Sequence, residues 1–190
     1  MIAFIIVPKN SGLKQYRDVA ISELGLAGNE KLEVRGEDVP LWLESVIKTG
    51  KKAIGITGQD LYKEYCLKNY RTDTKILKII SWNDERAIYG KPVLCLLGPA
   101  NRIPIPRKAK ICISSKYKFL ARKYLNLLEQ QGYSFEKFYV AGSTESSYAI
   151  GLADLVIDIV YSGKSINEIG LSVYDKIFSS DIVVIGGKDD

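Results

Sequence analysis

Ser162, Gly163, Lys164 and Ser165 follow an apolar run that contains Asp154, Ile157, Asp158, Ile159 and Val160. The order reads as a strand, a tight turn and the start of a helix. The first N–H groups of a helix lack intrahelical partners and its dipole places partial positive charge at that end. A phosphate is held well there. Gly163 lets the backbone come close, Ser162 and Ser165 bring hydroxyls, and Lys164 brings charge. Asp158 stands just before this loop, where a carboxylate meets ribose hydroxyls or a magnesium ion carried by a polyphosphate. Taken alone, these four residues fit an ordinary strand-to-helix connection with a serine N-cap better. A Walker A loop does not fit, because its first glycine would fall on Asp158.

Other elements offer similar positions. Met1 to Val7 reads as a buried strand and Pro8 to Gly12 as a loop carrying Lys9. A helix over Leu13 to Leu24 stops at Gly25. Lys31 to Arg35 is a short strand with a polar face, and Val39-Pro40 opens a helix over Leu41 to Lys48. Ala53 to Leu61 is a buried strand running into a glycine turn, where Gly58 and Asp60 serve either as turn and N-cap or as ligand contacts. Strands are expected at Ile76 to Trp82, Val93 to Leu97 and Lys110 to Ile113. Pro92, Pro99, Pro104 and Pro106 cluster there, making this the expected passage between lobes. Ser114 opens a helix that Gly132 ends. Phe135 to Ala141 is a strand, Ile166 to Gly170 a short helix and Asp181 to Ile185 a last strand. Alternating strands and helices imply an α/β protein.

Composition narrows the chemistry. The chain has 190 residues, 46% of them hydrophobic and 26% charged, enough for one sizeable core or two small lobes. The absence of histidine removes His triads, His general bases and His metal sites. The three cysteines, Cys66, Cys95 and Cys112, are widely spaced among apolar neighbours, as expected of free thiols in a reducing, cytoplasmic setting. No apolar run approaches a membrane span. A net charge of +5 suits a small polyanion as well as nucleic acid. Lys116, Lys118, Arg122 and Lys123, interleaved with aromatics, could form a nucleic-acid face but fit a solvated helix face better.

Four patches carry a resemblance to a known family. Gly142-Ser143-Thr144-Glu145, Gly151-Leu152-Ala153-Asp154 and Asp158 to Ser165 resemble the phosphoribosyl-diphosphate loop of the ATP phosphoribosyltransferases, with serines where that family has two threonines. Arg35 with Asp38-Val39-Pro40, and Gly55 to Asp60, resemble a second patch. Ser114 to Leu125 resembles a third and Pro8-Lys9 a fourth. Asn10 and Ser11 stand where the family has glycine and arginine, and Gly90-Lys91-Pro92-Val93 where it has Gly-x-Cys-Arg.

The resemblance implies a two-lobed fold, like type II periplasmic binding proteins. Lobe I would take residues 1–91 plus 171–190, and lobe II residues 92–170 with the phosphate loop. It also implies a short form, without the family's C-terminal regulatory domain. The implied reaction joins ATP to phosphoribosyl diphosphate, with Mg2+, giving phosphoribosyl-ATP and pyrophosphate at the first step of histidine biosynthesis. Ser162, Gly163, Lys164 and Ser165 would hold the ribose 5-phosphate. Asp154 and Asp158 would orient the ribose or a hydrated magnesium, Glu145 would lie on the ribose side, and Lys9 and Arg35 would face diphosphate or ATP phosphates. The implied partners are a regulatory subunit related to histidyl-tRNA synthetase and a second copy in a homodimer or higher oligomer. The alternative is a non-catalytic paralogue that binds a phosphorylated ligand or serves as a regulatory subunit.

Overall fold

A computed structural model of the chain describes residues 4–9, 11–101 and 104–188. Its contacts divide into two compact units, Met1–Trp82 with Asp181–Asp190, and Asn83–Ser180.

The first unit holds β1 (Phe4–Pro8), α1 (Ser11–Glu23), β2 (Glu30–Val34), α2 (Val39–Ile47), β3 (Ala53–Gly58), α3 (Gln59–Lys68) and β4 (Thr74–Ile80). A strand from the far end of the chain, Ile182–Gly187, completes it, so the sheet order is β2, β1, β3, that strand, β4. β1 and β3 are apolar but for Thr57 because helices cover both faces of this parallel core. β2 at the edge has the sequence EKLEV, and its apolar positions are half-buried. On one face Val39 and Leu43 of α2 pack with Ile6, Ala53, Val183 and Ile185. α3 follows β3 directly, with Gly58 extended (φ −71°) as its N-cap, so no glycine turn separates them.

The second unit holds β5 (Val93–Pro99), β6 (Lys108–Ser114), α4 (Lys118–Gln130), β7 (Ser134–Val140), α5 (Ser146–Ala149), β8 (Leu155–Val160), α6 (Lys164–Glu168) and β9 (Leu171–Ser179); the returning strand of the first unit is β10. Its sheet order is β7, β6, β8, β5, β9. Val93, Cys95 and Leu97 of β5 pack with Cys112, Val156, Val160, Ile166 and Leu171.

Two expectations about the division change. Residues 83–91 and 171–180 fall in the second unit, because β9 pairs antiparallel along the whole of β5 and Ser180 N–H bonds to the Pro92 carbonyl. Pro99 ends β5, and the prolines at 104 and 106 sit on the β5–β6 connection inside that unit; the chain crosses at Trp82/Asn83 and Ser180/Asp181 instead.

Candidate active site

β6 and β8 run parallel with Ile113 beside Ile157, and β6 and β7 run parallel with Ser114 beside Val140. Their carboxyl ends therefore bring together the turn after β7, Asp158 near the end of β8, and the loop before α6. The crevice at the carboxyl ends of parallel strands is where α/β sheets bind ligands.

Gly163 is the N-cap of α6 in the left-handed region, φ 73°. A Cβ there would stand 3.3 Å from both Cδ1 and Cγ2 of Ile88, so glycine suits the backbone and any side chain would press Ile88 back by a few tenths of an ångström. The Lys164 N–H reaches Ser162 Oγ at 3.4 Å, and Ser162, Lys164 and Ser165 are exposed. Lys164 Nζ lies 4.0 Å from Glu168, a loose solvent-facing pair that yields readily to a phosphate.

Burial lifts the Asp158 carboxyl above its usual range; the Ile159 N–H, 2.8 Å away, opposes this. Thr144 and Lys116 also favour its ionised form, and Glu145 disfavours it. The Thr144 hydroxyl is wholly buried beside Asp158 and makes no hydrogen bond of standard geometry. Ser143, just before it, has φ 51°, the single positive φ outside glycine among the described residues. Such backbone cost is commonly held where a ligand must be met.

Sequence reasoning missed what braces this loop. Tyr161 donates its hydroxyl to Asp84, whose carboxylate also takes the Arg86 guanidinium at 2.6 Å. Ile88 N–H bonds to the Tyr161 carbonyl at 2.9 Å. No periodic pattern marks residues 83–90. Thr144 lies within Gly142-Ser143-Thr144-Glu145, and its burial beside Asp158 gives it a role that the sequence does not announce.

The second carboxylate is elsewhere. Asp154 precedes β8, donating its backbone N–H to the Lys110 carbonyl at 2.9 Å and accepting the Lys110 N–H at 2.8 Å through its side-chain carboxylate. Four residues of extended chain put it about 13 Å from Asp158. The two cannot share one magnesium ion, so the expected joint role fails on distance. Among the described residues no group of at least three Asp, Glu, His or Cys side chains could hold a metal. The donor set does not build a protein cage for Mg2+, which would need its oxygens from phosphates and water.

In the first unit Pro8 lies beside Val34, and Lys9 N–H bonds to the Val34 carbonyl at 2.7 Å. Lys9 and Arg35 are therefore neighbours at the carboxyl ends of β1 and β2, both exposed. β3 runs parallel to β1, which brings Gly58 to the same edge, and Thr57 Oγ1 donates to the Gly36 carbonyl at 2.7 Å. Asp60, at 5% exposure, lies in the first turn of α3, where a carboxylate complements the helix dipole. Asn10 lies outside the described residues. The cysteines are free, and burial raises all three thiols, Cys95 to about 12, so none is poised as a nucleophile.

A model of the ATP phosphoribosyltransferase (HisG) family matches residues 35–190. The chain belongs to the ATP phosphoribosyltransferase family. Among its relatives, an ATP phosphoribosyltransferase of Sulfolobus acidocaldarius is 27% identical over 164 residues, 85% of this chain and 51% of that protein. One of Listeria monocytogenes is 32% identical over 143 residues, 75% of this chain and 59% of that protein. The chain thus spans between half and three-fifths of these relatives' lengths.

Among solved structures, the ATP phosphoribosyl transferase (HisG:HisZ) complex of Thermotoga maritima superposes with a TM-score of 0.71 at 22% identity, over 98% of this chain and 88% of that one. The periplasmic aliphatic sulphonate binding protein of Escherichia coli gives 0.61 at 12% identity, over 99% of this chain and 62% of that one. The fold is α/β, of the two-lobed type shared by this family and the periplasmic binding proteins. No helix among the described residues is long and apolar enough to cross a membrane.

Proposed function

We propose that the chain transfers a phosphoribosyl group from phosphoribosyl diphosphate to ATP, releasing pyrophosphate, as the first step of histidine biosynthesis in the cytoplasm. The observation that carries this reading is the loop at the end of β8, where Gly163 in the left-handed region presents two serine hydroxyls and Lys164 after half-buried Asp158. The loop binds the 5-phosphate, and Asp158 with Glu145 receives the ribose hydroxyls. Lys9 and Arg35 take diphosphate or ATP phosphates. No protein nucleophile is needed, because a ribosyl-cation-like transition state is served by positioning and by neutralising the leaving diphosphate. Mg2+ arrives with the substrate phosphates. The Thermotoga structure, being of a HisG:HisZ complex, supports a working assembly with a separate regulatory subunit.

A second reading, a binding paralogue without turnover, is favoured by one observation: Ser11 stands where the family has an arginine, and serine offers no bidentate grip on a phosphate. Titration calorimetry with phosphoribosyl diphosphate and Mg2+, then with ATP, followed by an assay for pyrophosphate release, separates the two. Binding of both with release is expected. Phosphoribosyl diphosphate binding without release, even with a regulatory subunit added, establishes the paralogue.

A further inference from the structure

The Thr144 hydroxyl is wholly buried, has no hydrogen-bond partner among the described residues, and lies beside the Asp158 carboxyl. A buried hydroxyl left unpaired costs stability, which calls for a partner that arrives in another state of the site. We propose that Thr144 is a positioning residue of the phosphoribosyl site, its hydroxyl donating to Asp158 when ribose hydroxyls engage that carboxylate. The role rests on Asp158 receiving the ribose, as proposed above.

The neighbours direct the hydroxyl to Asp158. The Thr144 carbonyl accepts the Ser147 N–H at 3.2 Å and the Ser147 hydroxyl at 2.7 Å. The one hydroxyl hydrogen of Ser147 is thereby spent, and the Thr144 backbone is pinned in the turn that Ser143 opens with φ 51°. Branching at Cβ holds a threonine to few rotamers, so its hydroxyl stays where the turn sets it. Asp158 accepts the Ile159 N–H at Oδ1, 2.8 Å away, which leaves Oδ2 for a further donor. A carboxylate takes about four donors, and the Ile159 N–H, the ribose hydroxyls and Thr144 fill those places.

The ionised carboxylate is the form that needs this donor. Lys116 favours that form and Glu145 opposes it. Cys95 pairs with Asp158 across the sheet and Cys112 lies on the same face; burial raises both thiols and keeps them protonated. Tyr89 and Tyr148 pack against the same cluster. An ionised carboxylate only accepts, whereas a protonated one carries a donor of its own. Thr144 therefore contributes above the Asp158 pKa and ceases to contribute below it.

Titration calorimetry of the full chain with phosphoribosyl diphosphate and Mg2+ across pH 4 to 8 tests this, on wild type, Thr144→Val and Thr144→Ser, beside ligand-free thermal melts. Thr144→Val keeps the shape and removes the hydroxyl. It is expected to bind about tenfold more weakly at pH 7, the scale of one hydrogen bond to a charged group, with the gap closing as pH falls through the Asp158 range. Its melting temperature is expected to equal or exceed that of wild type, because a methyl replaces an unpaired buried hydroxyl. Thr144→Ser is expected to recover wild-type binding. Wild-type affinity in Thr144→Val at pH 7 overturns the proposal. So does a loss that is equal at every pH, that serine does not recover, or that comes with a lowered melting temperature, each the mark of packing damage. Failure of the wild type to bind overturns the ribose reading itself and this role with it, so the wild-type titration tells the two failures apart.

Discussion

Tyr161 donates its hydroxyl to the buried carboxylate of Asp84, fastening the strand end that leads into Ser162–Ser165 to the loop over residues 83–90. Neither residue presents a group to the proposed phosphate site, so the pair acts through position. Asp84→Ala is expected to raise the KM for phosphoribosyl diphosphate about tenfold, the scale of one lost charge-assisted bond, with a smaller change in kcat. Steady-state kinetics read this directly; a loss confined to kcat speaks against a positioning role.

Asp158 is a carboxylate whose burial lifts its pKa above the ordinary 3.8. The folded state then holds the proton more tightly than the unfolded chain, so stability falls as pH rises from 3.8 toward the raised folded value and is level above it. Asp158→Asn is expected to remove that fall, leaving stability at neutral pH unchanged or higher while phosphoribosyl diphosphate binding weakens. Urea denaturation across pH 4 to 7, beside calorimetry, checks both; a variant less stable at neutral pH contradicts the account.

At Gly163 the left-handed backbone and the 3.3 Å approach to Ile88 act together. Gly163→Ala should lose about 1 to 2 kcal/mol and weaken phosphoribosyl diphosphate binding, whereas Gly163→Asn should lose less because asparagine tolerates that conformation. Thermal melts of the two variants rank them, and equal melting points argue against backbone strain as the cause.

Lys9 and Arg35 end adjacent parallel strands. Removing either cation should cost roughly 10- to 100-fold in kcat/KM, the value of a charge-assisted phosphate contact. Because neither is buried, melting temperatures should hold. Wild-type kinetics in Lys9→Ala and Arg35→Ala together would remove both from the reaction.

Away from the site, Glu44 is buried and accepts bonds from Tyr65 Oη at 2.7 Å, the Asp73 N–H at 2.9 Å and Thr72 Oγ1. Burial pushes its pKa up, but these donors and Lys48 prevail and hold it below the ordinary 4.5. A depressed folded pKa adds stability that is present above 4.5 and is lost as pH falls through the folded value. Glu44→Gln should flatten that acid loss and cost about 1 to 3 kcal/mol at pH 7. Chemical denaturation at pH 3 to 7 follows it, and an unchanged acid limb would place the loss on other carboxylates.

Local grammar explains what was legible in the sequence. The strand, Gly163 and the helix start follow one another within ten residues, so the loop and Asp158 could be read without knowing the fold. Asp154 shows the limit, since sequence nearness to Asp158 does not say that the two stand at opposite ends of β8. β9 was not read at all. Asp175 and Lys176 interrupt its apolar residues, and its pairing with β5 shifts register between Leu94 and Cys95 and again between Leu96 and Leu97, which breaks the alternation that marks a strand. The chain's crossings were misplaced for a related reason. Prolines mark turns wherever they fall, while Trp82/Asn83 has neither glycine nor proline to announce it.

The place of β10 sets an order of events during synthesis. It lies between β3 and β4 and pairs with both, although the second unit separates it from them in sequence. As the chain leaves the ribosome, β4 has no neighbour and β3 is open along one side until that last strand emerges, by which time the second unit's sheet is complete in sequence. The later unit is therefore free to close its sheet first, while the apolar middle of the earlier one stays open along β3 until β10 emerges.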